Sequence, residues 1–269
     1  EPCYVSYVPC VQLIGAVPVT IELKNENQFR LTPEELLAAI TDKTKILILA
    51  FPSNPTGAVM TKEDLEPIAK ICQEKDIYVI SDEIYSELTY GGQKHCSISS
   101  LPGMKDRTIV INGFSKAYAM TGWRLGYALA PEVIAHQMTK IHQFAIMCAP
   151  TTSQYAAIEA IKNGDADIEK MCKSYDQRRR FLLKKFEEIG LPCFEPHGAF
   201  YVFPCIKEFG AFIEFAPGKE GMVHISKIAK ERINRVEDVL TLGDVVTVVC
   251  LGKDKMGRIS FSMKDVAQI

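Results

Sequence analysis

Three short segments of this 269-residue chain hold most of the side chains that could do chemistry together. Phe51-Pro52-Ser53-Asn54-Pro55-Thr56-Gly57 offers an amide and two hydroxyls just after the apolar run Lys45 to Phe51. Ser81-Asp82-Glu83-Ile84-Tyr85 offers two carboxylates and a phenol at the end of Ile77 to Ser81. Gly113 to Gly126 (GFSKAYAMTGWRLG) follows Thr108 to Asn112 and carries the amine of Lys116 and the guanidinium of Arg124. Singly, each has a bland reading. The first is a Pro/Gly turn whose Asn tolerates turn geometry. The second is a pair of acids opening a helix and facing its dipole, and the third holds a surface lysine. All three in this order, each closing its own predicted strand, are hard to obtain by accident. Ligands of open α/β sheets collect at the carboxyl ends of the strands.

The elements that must position these groups can be read from the pattern. Val17 to Leu23 predicts a strand. Thr32-Pro33-Glu34-Glu35 predicts a helix start, with a Thr cap, Pro at the first helical position and Glu three residues after the cap. KILILAF has the continuous apolar character of a strand covered on both faces. Thr61 to Asp64 opens a second capped helix, and Ile77–Ser81 and Thr108–Asn112 are further strands. Helical patterns follow over Pro131–Phe144, Ser153–Lys162 and Ile168–Ile189. Strands alternating with helices predict an α/β fold, a mainly parallel sheet with flanking helices. Near residue 206 the texture changes to short strands punctuated by Gly, Pro and Asp, which reads as a small barrel.

Composition excludes several classes. The 31 basic and 33 acidic residues leave a net charge of −2, so no global electrostatic case for nucleic acid arises. No apolar run approaches the ~20 residues of a membrane span. Nine cysteines are scattered without a CxxC spacing, which predicts reduced thiols and a cytoplasmic protein, with no metal site. Glu1-Pro2-Cys3-Tyr4 has no signal-peptide character, and the expectation is that the chain begins inside something longer.

The third segment has the form [GS]-x-[GST]-K-x7-R-x-[GA], and it resembles the pyridoxal-phosphate lysine signature of class I, fold type I aminotransferases. SNPTG and SDEIY resemble two further hallmarks of that family, and Pro196 to Tyr201 resembles the opening of its small domain. By this resemblance, covering Glu1 to Ile206, Lys116 is the catalytic lysine, which condenses with the cofactor aldehyde and later carries the substrate proton. Asp82 pairs with the pyridine nitrogen, Asn54 and Tyr85 donate to the phenolate oxygen, and Arg124 and Ser115 bind the phosphate. Tyr4 stacks on the ring. Gly113 stands where some members carry a phosphate-binding Ser. The implied reaction moves an amino group between an amino acid and a 2-oxo acid, with ping-pong kinetics, in a homodimeric family. A pyridoxal-phosphate lyase of the same fold is the alternative. Glu83 is expected to be a structural or helix-start charge, His95, His136, His142 and His197 ordinary surface or structural residues, and Trp123 core or cofactor-adjacent packing.

The remainder, residues 207–269, resembles an S1 RNA-binding domain, closest to the C-terminal one of bacterial polynucleotide phosphorylase. That implies an OB-type barrel lacking its first strand, with Phe209, Phe212 and His224 on a weak RNA-binding face. The two resemblances meet within Ile206 to Phe212, with the domain boundary expected at 206 to 209. The expectation is therefore a chimeric, spliced chain whose first part is truncated at both ends and turns over poorly.

Overall fold

The structure is a computed structural model. It describes residues 1–206, 210–216, 219–231, 233, 235–241, 243–253, 259–264 and 266–267. They divide into two compact units, one of residues 1–188 and 193–203, the other of 189–192 and 204–269.

The first unit is built on four strands, β1 (Ile46–Ala50), β2 (Tyr78–Asp82), β3 (Thr108–Gly113) and β4 (Gly126–Leu129), in that spatial order. β1, β2 and β3 run parallel, and β4 is antiparallel to β3. The sheet is therefore mixed rather than parallel throughout. Helix α1 (Tyr7–Leu13) precedes it, and α2 (Pro33–Ala39) and α3 (Lys62–Glu74) lie before and after β1 in the chain. Both α2 and α3 start with a complete capping box, Thr32 with Glu35 and Thr61 with Asp64, as their sequences predict. Their apolar stripes pack on β1 and β2: Leu36, Leu65, Ile68 and Cys72 are buried with Leu49, Ile77 and Val79. Helices α4 (Glu132–Ala145), α5 (Thr151–Asn163) and α6 (Asp165–Glu188) complete the unit.

Two expectations differ here. Val17 to Leu23 is extended but forms no strand; its backbone pairing is with Glu1, which accepts from the Leu23 N–H at 2.7 Å and donates to Ile21 O. No helix starts at Asp82-Glu83 either. The chain enters turns at 84–87 instead.

β2 alternates strictly. Val79, Ser81 and Glu83 face inward and are buried, whereas Tyr78, Ile80 and Asp82 take the opposite face. Glu83 is only 4% exposed. Its carboxylate accepts from Ser81 Oγ at 2.8 Å and Ser97 Oγ at 2.6 Å, and it pairs with His95 Nε2 at 2.8 Å. Burial pushes this carboxyl up, but the bonds from His95, Ser97 and Ser81 outweigh it and hold the group below the usual carboxylate range. Its role is structural, as the sequence suggests, though its place is inside the core rather than at a helix start.

A second tie fixes the segment at 195–201. Arg179 of α6, 8% exposed, pairs with Asp176 at 2.8 Å and Glu195 at 2.8 Å and donates to Pro196 O at 3.2 Å. Thr89 and Gly198 form a β-bridge, and the Tyr90 hydroxyl donates to Ala199 O. Gly57, at φ +73°, is required by the same packing, since a Cβ there would lie 2.4 Å from Pro196 Cβ.

The second unit overturns the barrel expectation. β5 (Gly210–Ala216), β6 (Lys219–His224), β7 (Val249–Lys253) and β8 (Ile259–Ser262) form one sheet in the order β5-β6-β8-β7. β5–β6 and β8–β7 are antiparallel, but β6 and β8 pair parallel. Among the described residues β5 and β7 remain edges, so the sheet they form is open and closes no OB-type barrel. Its core is Val223, Ile228, Val236, Phe261 and Met263. Phe212, expected on an RNA face, is an exposed residue of β5. The His224 ring is turned back on its own chain, where Nδ1 accepts from Ser226 N–H at 3.1 Å. Phe209 lies outside the described residues. Among the described residues no helix is long and apolar enough to cross a membrane, and no group of His, Cys, Asp and Glu could hold a metal.

Because the Glu83 carboxyl is held low, its ionised form stabilises the folded chain above about pH 4.5, and that contribution is lost as pH falls further. The thermal midpoint of the wild type should therefore drop more steeply on acidification than that of Glu83→Gln. Parallel acid limbs in differential scanning calorimetry would refute this.

Candidate active site

Three adjacent parallel strands must end on the same edge, and the segments after β1, β2 and β3 carry the site residues. Ala50 registers with Asp82, and Asp82 with Ile111, so the strand ends are level. Asn54 follows β1 by four residues, Tyr85 follows β2 by three, and Lys116 follows β3 by three.

Asp82 ends β2 on the face opposite Glu83. Its Oδ1 accepts from the Ile84 N–H at 3.2 Å, and its Oδ2 accepts from the Tyr7 hydroxyl at 2.7 Å. Burial, then the Asp82 charge, push the Tyr7 phenol well above the ordinary tyrosine range. Tyr7 is the functional contact that the sequence reading missed. Tyr4 of the same PCYVSY segment is exposed, and its ring meets the Tyr7 ring edge-on at 5.6 Å. The signal available was the i, i+3 spacing, which places both tyrosines on neighbouring positions of one turn.

The Lys116 amine lies 5.7 Å from the Tyr85 ring centroid and 5.4 Å from that of Phe200. No carboxylate among the described residues stands within ion-pair distance of it. The Tyr85 hydroxyl shares a 2.7 Å hydrogen bond with that of Tyr201, and burial followed by this bond pushes the Tyr85 phenol up. Phe200 and Tyr201 stand where they do because Arg179 and the Thr89–Gly198 bridge fix the preceding residues. Asn54 and Ser115 are half-buried.

Arg124 makes no contact with these side chains among the described residues. It is exposed, at φ +53°, and its guanidinium donates to Thr121 O at 2.9 Å. The Thr121 hydroxyl in turn donates to Ser115 O at 2.8 Å, so the loop from 115 to 124 is closed on itself. Arg124 lines an open cavity of about 460 Å³ with Trp123, Thr152 and Ser153, and that lining includes none of Asn54, Asp82, Tyr85 or Lys116. Trp123 is exposed rather than packed. Gly113 cannot carry a hydroxyl here: a Cβ would stand 2.9 Å from Gly126 Cα and 3.0 Å from Leu125 O, where β3 and β4 approach.

The donor set suits one kind of ligand. An amine without an acid partner can meet an aldehyde, and a carboxylate already accepting an O–H can accept the N–H of a protonated ring. Phenol and amide can meet an oxyanion, and a guanidinium suits a phosphate. Pyridoxal phosphate presents these four groups, so the residues present fit it.

Comparison with known proteins gives the same family. The sequence profile of aminotransferase class I and II matches residues 1–267. An aspartate aminotransferase of Pyrococcus abyssi is 43% identical over 265 residues, covering 89% of this chain and 68% of that protein. An aspartate aminotransferase of Bacillus subtilis is 44% identical over 209 residues, covering 77% of this chain and 53% of its own length. A solved aromatic aminotransferase from Pyrococcus horikoshii superposes with TM-score 0.77 at 48% identity, over 79% of this chain and 57% of the other. The chain thus spans about half to two thirds of the length of these relatives. The profile's span, with the open second sheet, corrects the expectation of a chimera carrying an S1 RNA-binding tail, and RNA drops out as a partner. The chain belongs to the class I and II aminotransferases, the fold type I family that uses pyridoxal phosphate.

Proposed function

We propose that this chain transfers an amino group between an amino acid and a 2-oxo acid with pyridoxal phosphate, in the cytoplasm. The observation that carries the reading is the level edge of β1, β2 and β3, with Asn54, Asp82, Tyr85 and Lys116 in the segments that leave it. Nine free cysteines support the compartment.

When bound, the cofactor supplies an electron sink conjugated to the substrate α-carbon. Lys116 holds the cofactor through its amine. Freed from the cofactor by substrate, that amine would be the base that takes the proton from the substrate α-carbon and holds it for return. The aromatic walls of Tyr85 and Phe200 keep the amine from bulk water on two sides. Asp82, which already accepts from the Tyr7 hydroxyl, would accept the ring N–H and keep that nitrogen protonated. Asn54 and Tyr85 donate to the phenolate oxygen, and Tyr85 remains positioned by Tyr201. Ser115 and Arg124 would hold the phosphate, the Arg124 guanidinium having N–H donors beyond the one given to Thr121 O. Tyr4 offers a ring face.

Two variants test this. The wild type should give a saturable visible band on titration with pyridoxal phosphate, and Lys116→Ala should give none; a band that persists in the variant would reject the assignment. Asp82→Asn should retain the fold and lose transamination by on the order of a hundredfold or more. Activity within a factor of about two of wild type would remove Asp82 from the role.

A further inference from the structure

We propose that Glu83 is a positioning residue for Asp82, its buried carboxylate fixing the end of β2 so that Asp82 is held on the open face of the sheet. The proposal rests on the cofactor role of Asp82 given above.

β2 needs an anchor at this point. Its ladder to β1 ends at the Ala50–Asp82 pair and its ladder to β3 at Asp82–Ile111. Beyond lie turns. The bond from Ile84 N–H to Asp82 Oδ1 is local and moves with the chain. Glu83 is the first residue past the strand, and it is held from three directions. Its N–H donates to Ile111 O at 2.8 Å, which ties it to β3. Its carboxylate takes Ser81 Oγ from its own strand. It also takes Ser97 Oγ and His95 Nε2 from the segment that leads into the short helix at Ile98–Ser100. That segment is itself immobilised, for Ile98 is 1% exposed and sits in the main core, and the Ser97 hydroxyl also contacts Ser99 Oγ at 2.8 Å.

An apolar side chain could fill the same volume without desolvating a charge. Burying a carboxylate is expensive unless its oxygens are satisfied. What the carboxylate adds is direction, because hydrogen bonds from three separate side chains leave it one orientation. Strand alternation then converts a fixed Glu83 into a fixed Asp82, since neighbouring residues must point to opposite faces.

The test uses Glu83→Gln, with Ser97→Ala as a milder variant that removes a single bond. Two readouts separate positioning from plain stability. The first needs no cofactor: tyrosine labelled with 13C at Cζ, the Tyr7 resonance assigned by its absence in Tyr7→Phe, and its pH titration followed. In the wild type this phenol should stay protonated well above the ordinary tyrosine range, and in Glu83→Gln its titration should move measurably down as Asp82 loosens. The second is the dissociation constant of pyridoxal phosphate read from its visible band, expected to rise about tenfold in Glu83→Gln and less in Ser97→Ala. A Glu83→Gln protein with a lower thermal midpoint but wild-type values of both readouts would overturn the proposal. Should Glu83→Gln fail to fold, Ser97→Ala decides it on the same two readouts. If Asp82→Asn binds the cofactor as tightly as wild type, the cofactor role of Asp82 falls separately, and the Tyr7 titration alone decides whether Glu83 positions it.

Discussion

Parallel pairing of β1, β2 and β3 is the constraint on which the rest depends. Parallel neighbours finish on one edge, so three segments far apart in the chain are delivered to one place by backbone hydrogen bonding alone. Each strand then needs only a short turn to present its group. The tight Gly57 turn after β1, the Glu83-anchored end of β2 and the Gly113–Gly126 approach after β3 are three local solutions to the same demand. Among the described residues Lys116 has no acid partner, and it meets the rings of Tyr85 and of Phe200, which follows the segment that Arg179 ties.

The two acids of SDEIY show how alternation divides labour. Adjacent in sequence, they are opposite in space. One is buried and spent entirely on structure, the other faces the open side with a phenol on it. A pair of carboxylates at a strand end is therefore not by itself a pair of catalysts. Which is which is decided by the strand's inward set, here Val79 and Ser81.

Local signals were legible where the physics is local. The capping boxes at Thr32 and Thr61 need only four residues, and both form. The three strand ends and their motifs were legible because continuous apolar runs and turn residues mark them. What failed was nonlocal. Short strands spaced by Gly and Pro describe a barrel and an open sheet equally well, since closure is decided by which strands meet, and here β6 meets β8 in parallel while β5 and β7 stay unpaired with each other. Val17 to Leu23 has strand character, but among the described residues only Glu1 pairs with it. The Tyr7 contact to Asp82 was not legible for the same reason: composition offers two phenols, and only the packing of α1 shows which one reaches Asp82.

The central claim is that the edge assembled by these strands makes Lys116 the amine that meets the cofactor aldehyde. Borohydride reduction of the chain in the presence of pyridoxal phosphate fixes the cofactor to whichever amine has condensed with it, and proteolysis with mass spectrometry locates the label. The account predicts one dominant labelled peptide, containing Lys116, at cofactor concentrations near stoichiometric. Label spread across exposed lysines such as Lys62, Lys70 and Lys173, with none concentrated on Lys116, would contradict it.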